Sequence, residues 1–417
     1  MVSNGWIHTT FEKHIDCLTG YAFKSSNYSA SFSDIKLLRG DNIEPGALRW
    51  RDAKYWSINQ LDGLERYQLN KGDFVIALDR TWISSGLKVA EVRSEDLPCL
   101  LVQRVARVRA KKTLEQGLLR QYFSGHKFEQ YVKSVQTATA VPHISPTDIK
   151  EFPLLLPPLA EQQKIAQILS TWDQAISTTE KFLENSQQQK KALMQQLLTG
   201  KRRLLDENGV SFSEDWNEYS LGNLGNTFTG LTGKTKDDFG SGVPYITYMN
   251  IFKNSRIDIN QVDYVIVKED ENQNSVRYGD IFFTTSSETA EEVGMSSVLL
   301  EEVERLYLNS FCFGFRLNNF KVLLPQFAAY ILRSSNIRKQ ISILGQGATR
   351  YNLSKNQLMK LILKLPTIAE QKKIAEVLTL SDQEIETLQK KLDCLKQEKK
   401  ALMQQLLTGK KRVKVAA

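Results

Sequence analysis

The sequence lacks long apolar runs, closely spaced cysteines and clustered histidines. No stretch reaches the roughly 18 consecutive apolar residues that a membrane span requires, and the first five residues lack the pattern of a signal peptide. The four cysteines lie about 80 or more residues apart and the four histidines are scattered, whereas zinc and redox motifs need close pairs. We therefore expect a cytoplasmic protein with reduced thiols, no membrane segment and no metal site.

The length and charge are typical of a folded protein with more than one domain. The chain has 417 residues, of which 41% are apolar and 24% charged, close to the averages of globular proteins and too long for one ordinary core. Its 55 Lys and Arg against 47 Asp and Glu give a formal charge of +8. A basic excess of this size indicates a polyanionic partner without proving one.

An internal repeat is the most informative feature. Residues 160–201 and 369–410 align without a gap at an offset of 209, with 26 identities in 42 positions. Each copy follows an apolar run that ends in proline, at Pro157 and Pro366, and carries a glycine near its end, at Gly200 and Gly409. Because proline suits the first turn of a helix and glycine its C-terminal cap, each copy is predicted to be one long helix.

An apolar stripe with alternating spacings of three and four residues runs along each predicted helix. Seven of ten stripe positions in the first copy and eight of ten in the second are apolar, which is the spacing of a coiled coil. The pattern therefore predicts that the two helices pack against each other along these stripes. Lys190 and Lys399 fall on equivalent stripe positions, where we expect the side chains to extend past the contact into water; a specific role for them is the less favoured interpretation.

The repeats divide the chain into four predicted segments. Residues 1–156 and 202–365 are two unlike domains, and residues 157–201 and 366–412 are the two helices. The domains share weak landmarks, since Gly72 and Asp73 parallel Gly279 and Asp280. Each is predicted to be an α+β globule, with strands at 74–78, 97–108, 281–285 and 297–300 and a helix at 325–341.

Positive charge is concentrated in the second half of each domain. Residues 305–364 contain 10 basic and no acidic residues, and residues 97–147 contain eight basic and two acidic residues. Such a surface suits DNA phosphates, although a merely solvated basic face is the alternative. Arg can also read guanine, and Asn or Gln adenine, through paired hydrogen bonds. The candidate contacts from this pattern are Arg104, Arg107, Arg109, Lys111, Lys112, Gln346, Arg350, Tyr351 and Asn352.

Catalytic motifs are not convincing. The segment from Gly230 to Thr235 resembles a phosphate-binding loop, but Phe228 stands where the full motif requires its first glycine. An ATP site is the less favoured interpretation, and a loop that carries Lys234 as a further DNA contact is favoured. Without a GxGxxG or GxSxG motif or a metal-binding carboxylate cluster, we expect a binding protein that is not an enzyme and holds no cofactor.

These features resemble the specificity subunit of type I restriction-modification enzymes along the whole chain. The most specific elements are the paired Pro-x-x-Ala-Glu-Gln sequences at 157–162 and 366–371 and the paired Ala-Leu-Met-Gln-Gln-Leu-Leu-Thr-Gly-Lys sequences at 192–201 and 401–410. The resemblance implies two target recognition domains, each reading one half of a bipartite DNA site. It also implies that the coiled-coil helices are antiparallel, set the spacing and dock modification subunits, with approximate two-fold symmetry.

The resemblance further implies partners and cofactors outside this chain. Two modification subunits would bind S-adenosylmethionine and methylate adenine in double-stranded DNA, and restriction subunits would use ATP and Mg. The landmarks common to both domains then place Arg39, Asn42, Tyr248 and Asn250 near the DNA-reading face. A free-standing, two-headed DNA-binding regulator is the alternative, and an enzyme acting on nucleotides rests on the glycine loop alone.

Overall fold

The computed structural model describes residues 5–138, 140–347 and 350–415. The described residues form two compact units. The first unit holds those of Met1–Glu180 and Lys390–Ala417, and the second holds those of Lys181–Gln389. This division differs from the predicted segments because each unit includes one end of each long helix. Within the described ranges, no helix combines the length and apolar character needed to cross a membrane.

The first unit consists of short strands with helices at the end of the domain. Its strands are β1 (Ile7–Thr10), β2 (Ile15–Thr19), β3 (Ile35–Leu38), β4 (Ile43–Glu44), β5 (Ala47–Leu48), β6 (Lys54–Trp56), β7 (Phe74–Ala77), β8 (Trp82–Ile83), β9 (Gly86–Leu87), β10 (Val89–Glu91), β11 (Cys99–Leu101), β12 (Val105–Ala110) and β13 (Pro153–Leu156). Its helices are α1 (Gln116–Phe123), α2 (His126–Val135), α3 (Pro146–Lys150) and the first part of α4 (Leu159–Leu197).

Two sheets form the centre of the first unit. The antiparallel sheet has the order β10-β7-β12-β2, and the second sheet has the order β11-β3-β6, in which β11 and β3 are parallel. Strand β7 is fully buried, which explains why its sequence is continuously apolar. Helices α1 and α2 cover the larger sheet, and Phe123 contacts Phe74 edge to face at 5.2 Å between ring centroids.

The second unit repeats these sheets with different side chains. Its strands are β14 (Asn217–Ser220), β15 (Gly225–Thr229), β16 (Phe239–Ile246), β17 (Val262–Val265), β18 (Ile281–Thr284), β19 (Ser286–Ser287), β20 (Ser296–Val298), β21 (Tyr307–Leu308), β22 (Cys312–Leu317), β23 (Gly345–Gln346), β24 (Tyr351–Leu353) and β25 (Ile362–Leu365). Its helices are α5 (Leu221–Leu224), α6 (Tyr248–Lys253), α7 (Pro325–Ile331), α8 (Ser335–Leu344), α9 (Lys355–Leu358) and the first part of α10 (Ile368–Leu406).

The sheet orders of the second unit match those of the first. The order β15-β22-β18-β20 corresponds to β2-β12-β7-β10, and the order β17-β16-β21, with β16 and β21 parallel, corresponds to β6-β3-β11. The α+β fold class is therefore confirmed. The predicted helix at 325–341 is instead two helices, because Ser334 caps a new helix by accepting the backbone N–H of Ile337 at 3.4 Å. The predicted strand at 97–108 is likewise divided into β11 and β12.

The two long helices end just before the predicted glycines. Both α4 and α10 contain 39 residues, and Gly200 and Gly409 follow them with φ of 68° and 69°. This left-handed conformation is favourable for glycine and is common directly after a helix.

The helix ends run antiparallel within each unit. In the first unit, Lys399 of α10 donates to Asp173 of α4 at 2.5 Å, and Lys396 lies 2.8 Å from Glu180. In the second unit, Lys190 of α4 pairs with Asp382 of α10. The prediction that Lys190 and Lys399 extend into water is wrong, because each ammonium group finds a carboxylate on the opposite helix.

The Ala-Glu-Gln motif fixes each helix start to its unit. Gln162 accepts the backbone N–H of Glu115 at 2.8 Å and donates to two carbonyl oxygens, and Gln371 makes the equivalent three hydrogen bonds. Glu161 forms an ion pair with Arg412, and Glu370 forms one with Arg203. Arg412 follows the end of α10 and Arg203 follows the end of α4, at equivalent positions of the repeat. The motif is therefore structural, which explains why it occurs in both copies.

Candidate nucleic-acid interface

The aspartate of the Gly-Asp landmark is buried in each domain and forms an ion pair with a half-buried arginine. Asp73 accepts hydrogen bonds from two guanidinium nitrogens of Arg109. Asp280 likewise accepts two hydrogen bonds from Arg316, at 2.7 and 2.6 Å. The aspartate side chains are only 4% and 1% exposed. Hydrogen bonds to these aspartates raise the pKa of Arg109 and of Arg316, against the opposing effect of burial. The structure therefore directs Arg109, a candidate DNA contact, to a carboxylate inside its own domain.

The two landmark asparagines are also part of the domain interior. Asn42 is 5% exposed; it accepts the backbone N–H of Arg39 and donates to the carbonyl of Arg49, both at 3.0 Å. Asn250 is 2% exposed and donates to the carbonyls of Asp258 and Gln261 at 2.8 Å. Because these amides are already satisfied by backbone groups, Asn42 and Asn250 shape loops rather than present free hydrogen-bonding groups.

Two further candidates are held by protein groups. Arg107 is 5% exposed, donates to the carbonyl of Arg66 at 3.1 Å and pairs with Asp16. Lys234 pairs with Glu271, and its side chain is 4% exposed. The loop that carries Lys234 continues into a 3-10 turn at Lys236–Asp238, whereas a nucleotide-binding glycine loop continues into an α-helix.

Strand β12 separates the remaining basic candidates of the first unit. Arg104 precedes the strand, and Lys111 and Lys112 follow it at the opposite end, so a rise of about 3.3 Å per residue places them roughly 20 Å apart. Arg39 lies at the Arg104 end, because Leu38 before it accepts the backbone N–H of Val102 at 3.1 Å. The structure thus brings Arg39 and Arg104 together and leaves the two lysines outside this group.

An ionic cluster surrounds Asp79 at this end of the first unit. Arg104 donates to Asp79 at 2.5 Å, and Nδ1 of His143 lies 2.7 Å from the other carboxylate oxygen. Burial acts to raise the pKa of Asp79, but the hydrogen bonds with Arg104 and His143 outweigh it and lower the pKa. Among the described residues, positive φ outside glycine occurs at Arg80 and Arg104, at 46° and 65°. Strained backbone of this kind is often found at functional sites.

Lys88 extends the positive charge beside this cluster. It is 8% exposed, and no carboxylate of the described chain lies within ion-pair distance of it. Burial lowers the pKa of Lys88, as do nearby Arg80 and Arg49, while Asp41 acts in the opposite direction. We call the following set the basic cluster: Arg39, Arg49, Arg80, Lys88 and Arg104. Sequence reasoning missed Arg49, Arg80 and Lys88 because they lie outside the basic segment at 97–147.

A small sheet in the second unit collects candidates that are far apart in the sequence. In the order β19-β24-β23, Asn352 lies directly opposite Ser286 on one side and Gln346 on the other, so the three side chains share one face. Gln346 and Asn352 are exposed. Tyr248 donates to the carbonyl of Ser286 at 2.9 Å, and burial raises the pKa of this phenol.

The polar face of the small sheet offers the groups that base edges require. Hydroxyl and amide side chains supply both donors and acceptors, and strands can present such groups in a DNA groove. Exposed Arg350 follows β23, and Tyr351 lies next to Asn352 in β24. The structure therefore places Tyr248 against the strand that pairs with Tyr351 and Asn352, in the same small sheet as Gln346.

The described part of the chain holds neither a group of three potential metal ligands nor a cysteine with a lowered pKa. In that part, no group of three or more His, Cys, Asp or Glu is placed to hold a metal ion. Burial raises the pKa of Cys17 to about 11 and those of Cys99 and Cys312 to about 12. A nucleophilic cysteine needs the opposite shift, so these three thiols are structural.

The sequence and fold are similar to those of known proteins. The family model for the type I restriction modification DNA specificity domain matches residues 40–186 and 213–397. The type I restriction enzyme EcoAI specificity subunit of Escherichia coli is 34% identical over 179 residues, covering 43% of this chain and 29% of that subunit. The EcoBI specificity subunit of Escherichia coli is 23% identical over 397 residues, covering 89% of this chain and 78% of that subunit.

A solved structure extends the similarity to the fold. The type I restriction-modification system S subunit from M. genitalium superposes with a TM-score of 0.58 at 14% sequence identity, covering 97% of this chain and 96% of that chain. The match to the EcoAI subunit spans less than a third of its length. The match to the M. genitalium subunit includes nearly all of both chains, which shows that the fold is common to them.

Proposed function

Because the chain belongs to the type I restriction modification DNA specificity family, we propose that it is the DNA sequence-specificity subunit of a type I restriction-modification complex. The observation that carries this proposal is the repeated framework. Both units have the same sheet orders, but one presents the basic cluster and the other a polar sheet face at corresponding strand ends. Two unlike reading surfaces suit a bipartite DNA site with two different half-sites. The matches favour this function over a free-standing regulator.

We assign the candidate residues to two different roles in DNA binding. The basic cluster and the exposed residues Gln346, Arg350 and Asn352 face the DNA. The side chains that are already paired within the protein support the loops behind that face, and they are Asn42, Arg107, Arg109, Lys234 and Asn250. Phosphate contacts fix the position of a protein on the duplex, and contacts to base edges supply sequence preference. Buried Asn and Arg side chains that are already paired contribute to neither directly.

In this proposal the chain recognises DNA and its partners carry out the chemistry. Two modification subunits bind S-adenosylmethionine and methylate adenine, restriction subunits use ATP and Mg, and the complex works in the cytoplasm. The repeated helix ends would give two identical partners equivalent docking surfaces. Gln195 and Gln404 support this, because they are exposed at equivalent positions of α4 and α10.

Mapping of methylated adenines tests the proposed function. The full chain is expressed with its modification subunits in a host without other adenine methylation, and methylated positions are read across the genome. We expect one bipartite motif with two unlike half-sites and a fixed gap. A host that expresses the modification subunits alone is the control and should show no such motif. Methylation that is independent of this chain, or confined to a contiguous motif, would contradict the proposal.

A further inference from the structure

A backbone frame at the end of β7 holds the ionic cluster of the first unit. Leu78 donates its N–H to the carbonyl of Arg104 at 2.9 Å and accepts the N–H of Ile144 at 2.9 Å. The next residue, Asp79, forms a β-bridge with His143. Three chain segments that are far apart in sequence are thereby fixed next to each other.

The second unit contains the same frame at the end of β18. Thr285 donates to the carbonyl of Phe311 at 3.1 Å and accepts the N–H of Leu353 at 2.8 Å, while Ser286 pairs with Asn352. Positions 79, 104 and 143 of the first unit therefore correspond to positions 286, 311 and 352 of the second.

The side chains on this frame differ completely between the units. The first has Asp79, Arg104 and His143, and the Arg104 side chain is 72% exposed. The second has Ser286, Phe311 and Asn352, and Phe311 is 68% exposed. An identical backbone frame with unlike, accessible side chains is what a position that determines sequence preference requires.

We propose that this frame is a base-reading position in each unit, and that Arg104, held by Asp79, whose other carboxylate oxygen contacts His143, reads a guanine in the half-site of the first unit. The inference rests on the proposed function and adds to it the residues that discriminate between bases. Phe311 replaces the arginine in the second unit, so the corresponding position there has no guanidinium and discriminates differently.

The geometry of Arg104 favours base reading over a purely structural role. In the described chain, its guanidinium donates to Asp79 through Nη1, which leaves other donors of the group for a ligand. A carboxylate that orients an exposed arginine restricts its rotamers, and an arginine can bind O6 and N7 of guanine through two hydrogen bonds. The left-handed backbone at Arg104 is unfavourable for a residue other than glycine, and such strain is common at functional sites.

Substitution of Arg104 tests the assignment. The full chain, copurified with its modification subunits, is used to select binding sequences from randomised duplexes. Arg104→Lys keeps the positive charge but loses the paired geometry, and Arg104→Asn tolerates the left-handed backbone. We expect both variants to lose about 10-fold to 100-fold discrimination for guanine at one position of one half-site, with the other half-site unchanged.

A matched control and a transfer experiment complete the test. Arg93→Lys changes an exposed arginine that lies beside a carboxylate and follows β10, at the opposite end of β7 from Arg104, and it should leave both half-sites unchanged. The combined variant Ser286→Asp, Phe311→Arg and Asn352→His should introduce a guanine preference into the second half-site.

The outcomes separate this inference from the proposed function. If the unmodified protein selects a bipartite site and Arg104→Lys and Arg104→Asn select the same site with unchanged guanine preference, the assignment of Arg104 is wrong while the proposed function stands. If the unmodified protein selects no bipartite site, the proposed function itself fails.

Discussion

At the scale of single residues, Lys88 shows how stability and DNA binding can conflict. A lysine side chain that is largely covered by protein and has no carboxylate partner is unfavourable for folding, and burial accordingly lowers the pKa of Lys88. The same charge would be favourable against a DNA phosphate. A residue that destabilises the free domain and stabilises the complex is expected at a binding surface, because function and stability make different demands on it.

Lys88→Met should therefore change two properties in opposite directions. We expect the free energy of unfolding to rise by less than about 1 kcal/mol when the partly buried charge is removed, because water still screens part of it; chemical denaturation measures the change. DNA affinity should fall, and the slope of log affinity against log salt concentration should decrease in magnitude by about 1. Lys71→Met, at an exposed position near the opposite end of β7, is the control. An unchanged salt dependence in Lys88→Met would contradict a phosphate contact.

The surroundings of His14 predict that the free energy of unfolding of the first unit decreases in acid. Its ring nitrogens lie 2.9 Å from the hydroxyl of Thr113 and 3.1 Å from that of Thr9. Burial lowers the pKa of His14 below its usual value of 6.5, and Lys111 and Lys13 lower it further. The unfolded chain then binds a proton more readily, so this contribution to stability is complete above pH 6.5 and is lost as the pH falls from there towards the lower pKa of the folded state.

The comparison of His14→Gln with the unmodified chain measures this contribution. Glutamine can bond both threonines and does not titrate, so the variant should lose less free energy of unfolding than the unmodified chain when the pH is lowered below 6.5. His8→Gln, at an exposed position, should behave like the unmodified chain. Parallel pH profiles for all three proteins would show that His14 does not titrate with folding.

At the scale of elements, periodicity predicts α4 and α10 well because one regular pattern extends over many turns. The same signal misses the break between α7 and α8. There the apolar pattern continues, but α7 ends at Ile331 and Ser334 caps the start of α8. Arg333 donates to the carbonyls of Ser296, Ile251 and Asn254 at 2.5 to 2.8 Å. These contacts join distant segments, and a local reading of the sequence does not contain them.

The candidate site was predictable in chemistry but not in geometry. Charge counts identified Arg104, and side-chain type identified Asn352 and Gln346. The sequence does not indicate that Asn42 and Arg107 are buried, since their partners, the carbonyl of Arg49 and the carboxylate of Asp16, depend on loop closure and strand register. His143 and Phe311 had no recognisable motif, because their equivalent positions become visible only when the two frames are compared.

The start of α4 provides a prediction at this scale. Gln162 is 2% exposed, and its side chain is bonded to three backbone groups. Gln162→Met has a similar size but leaves these groups unpaired, so we expect the free energy of unfolding to fall by about 2 to 4 kcal/mol. Gln163→Met, at the next and exposed position, should have little effect. Equal stability of the two variants would show that the motif does not fix the helix start.

At the scale of the whole molecule, each of the two long helices contributes one part to the first unit and one part to the second. Each unit contains one antiparallel pair of helix ends, fixed by Asp173 with Lys399 in the first and by Lys190 with Asp382 in the second. The ion pairs are equivalent at the repeat offset of 209. A change of length in one helix alone would therefore disturb the register of the partner helix, whereas equal changes in both would preserve each pair.

Matched insertions test whether the helices set the gap between half-sites in the proposed function. Four residues inserted after Glu180 and four after Gln389, at the unit boundaries, lengthen each helix by about 6 Å at 1.5 Å per residue. Since base pairs rise about 3.4 Å, we expect the unread gap to grow by one to two base pairs while both half-sites persist, measured by mapping methylated adenines. Insertion in α4 alone, the control, should weaken recognition because it offsets the ion pairs. Altered half-sites with an unchanged gap would mean that the recognition domains, and not the helices, determine the spacing.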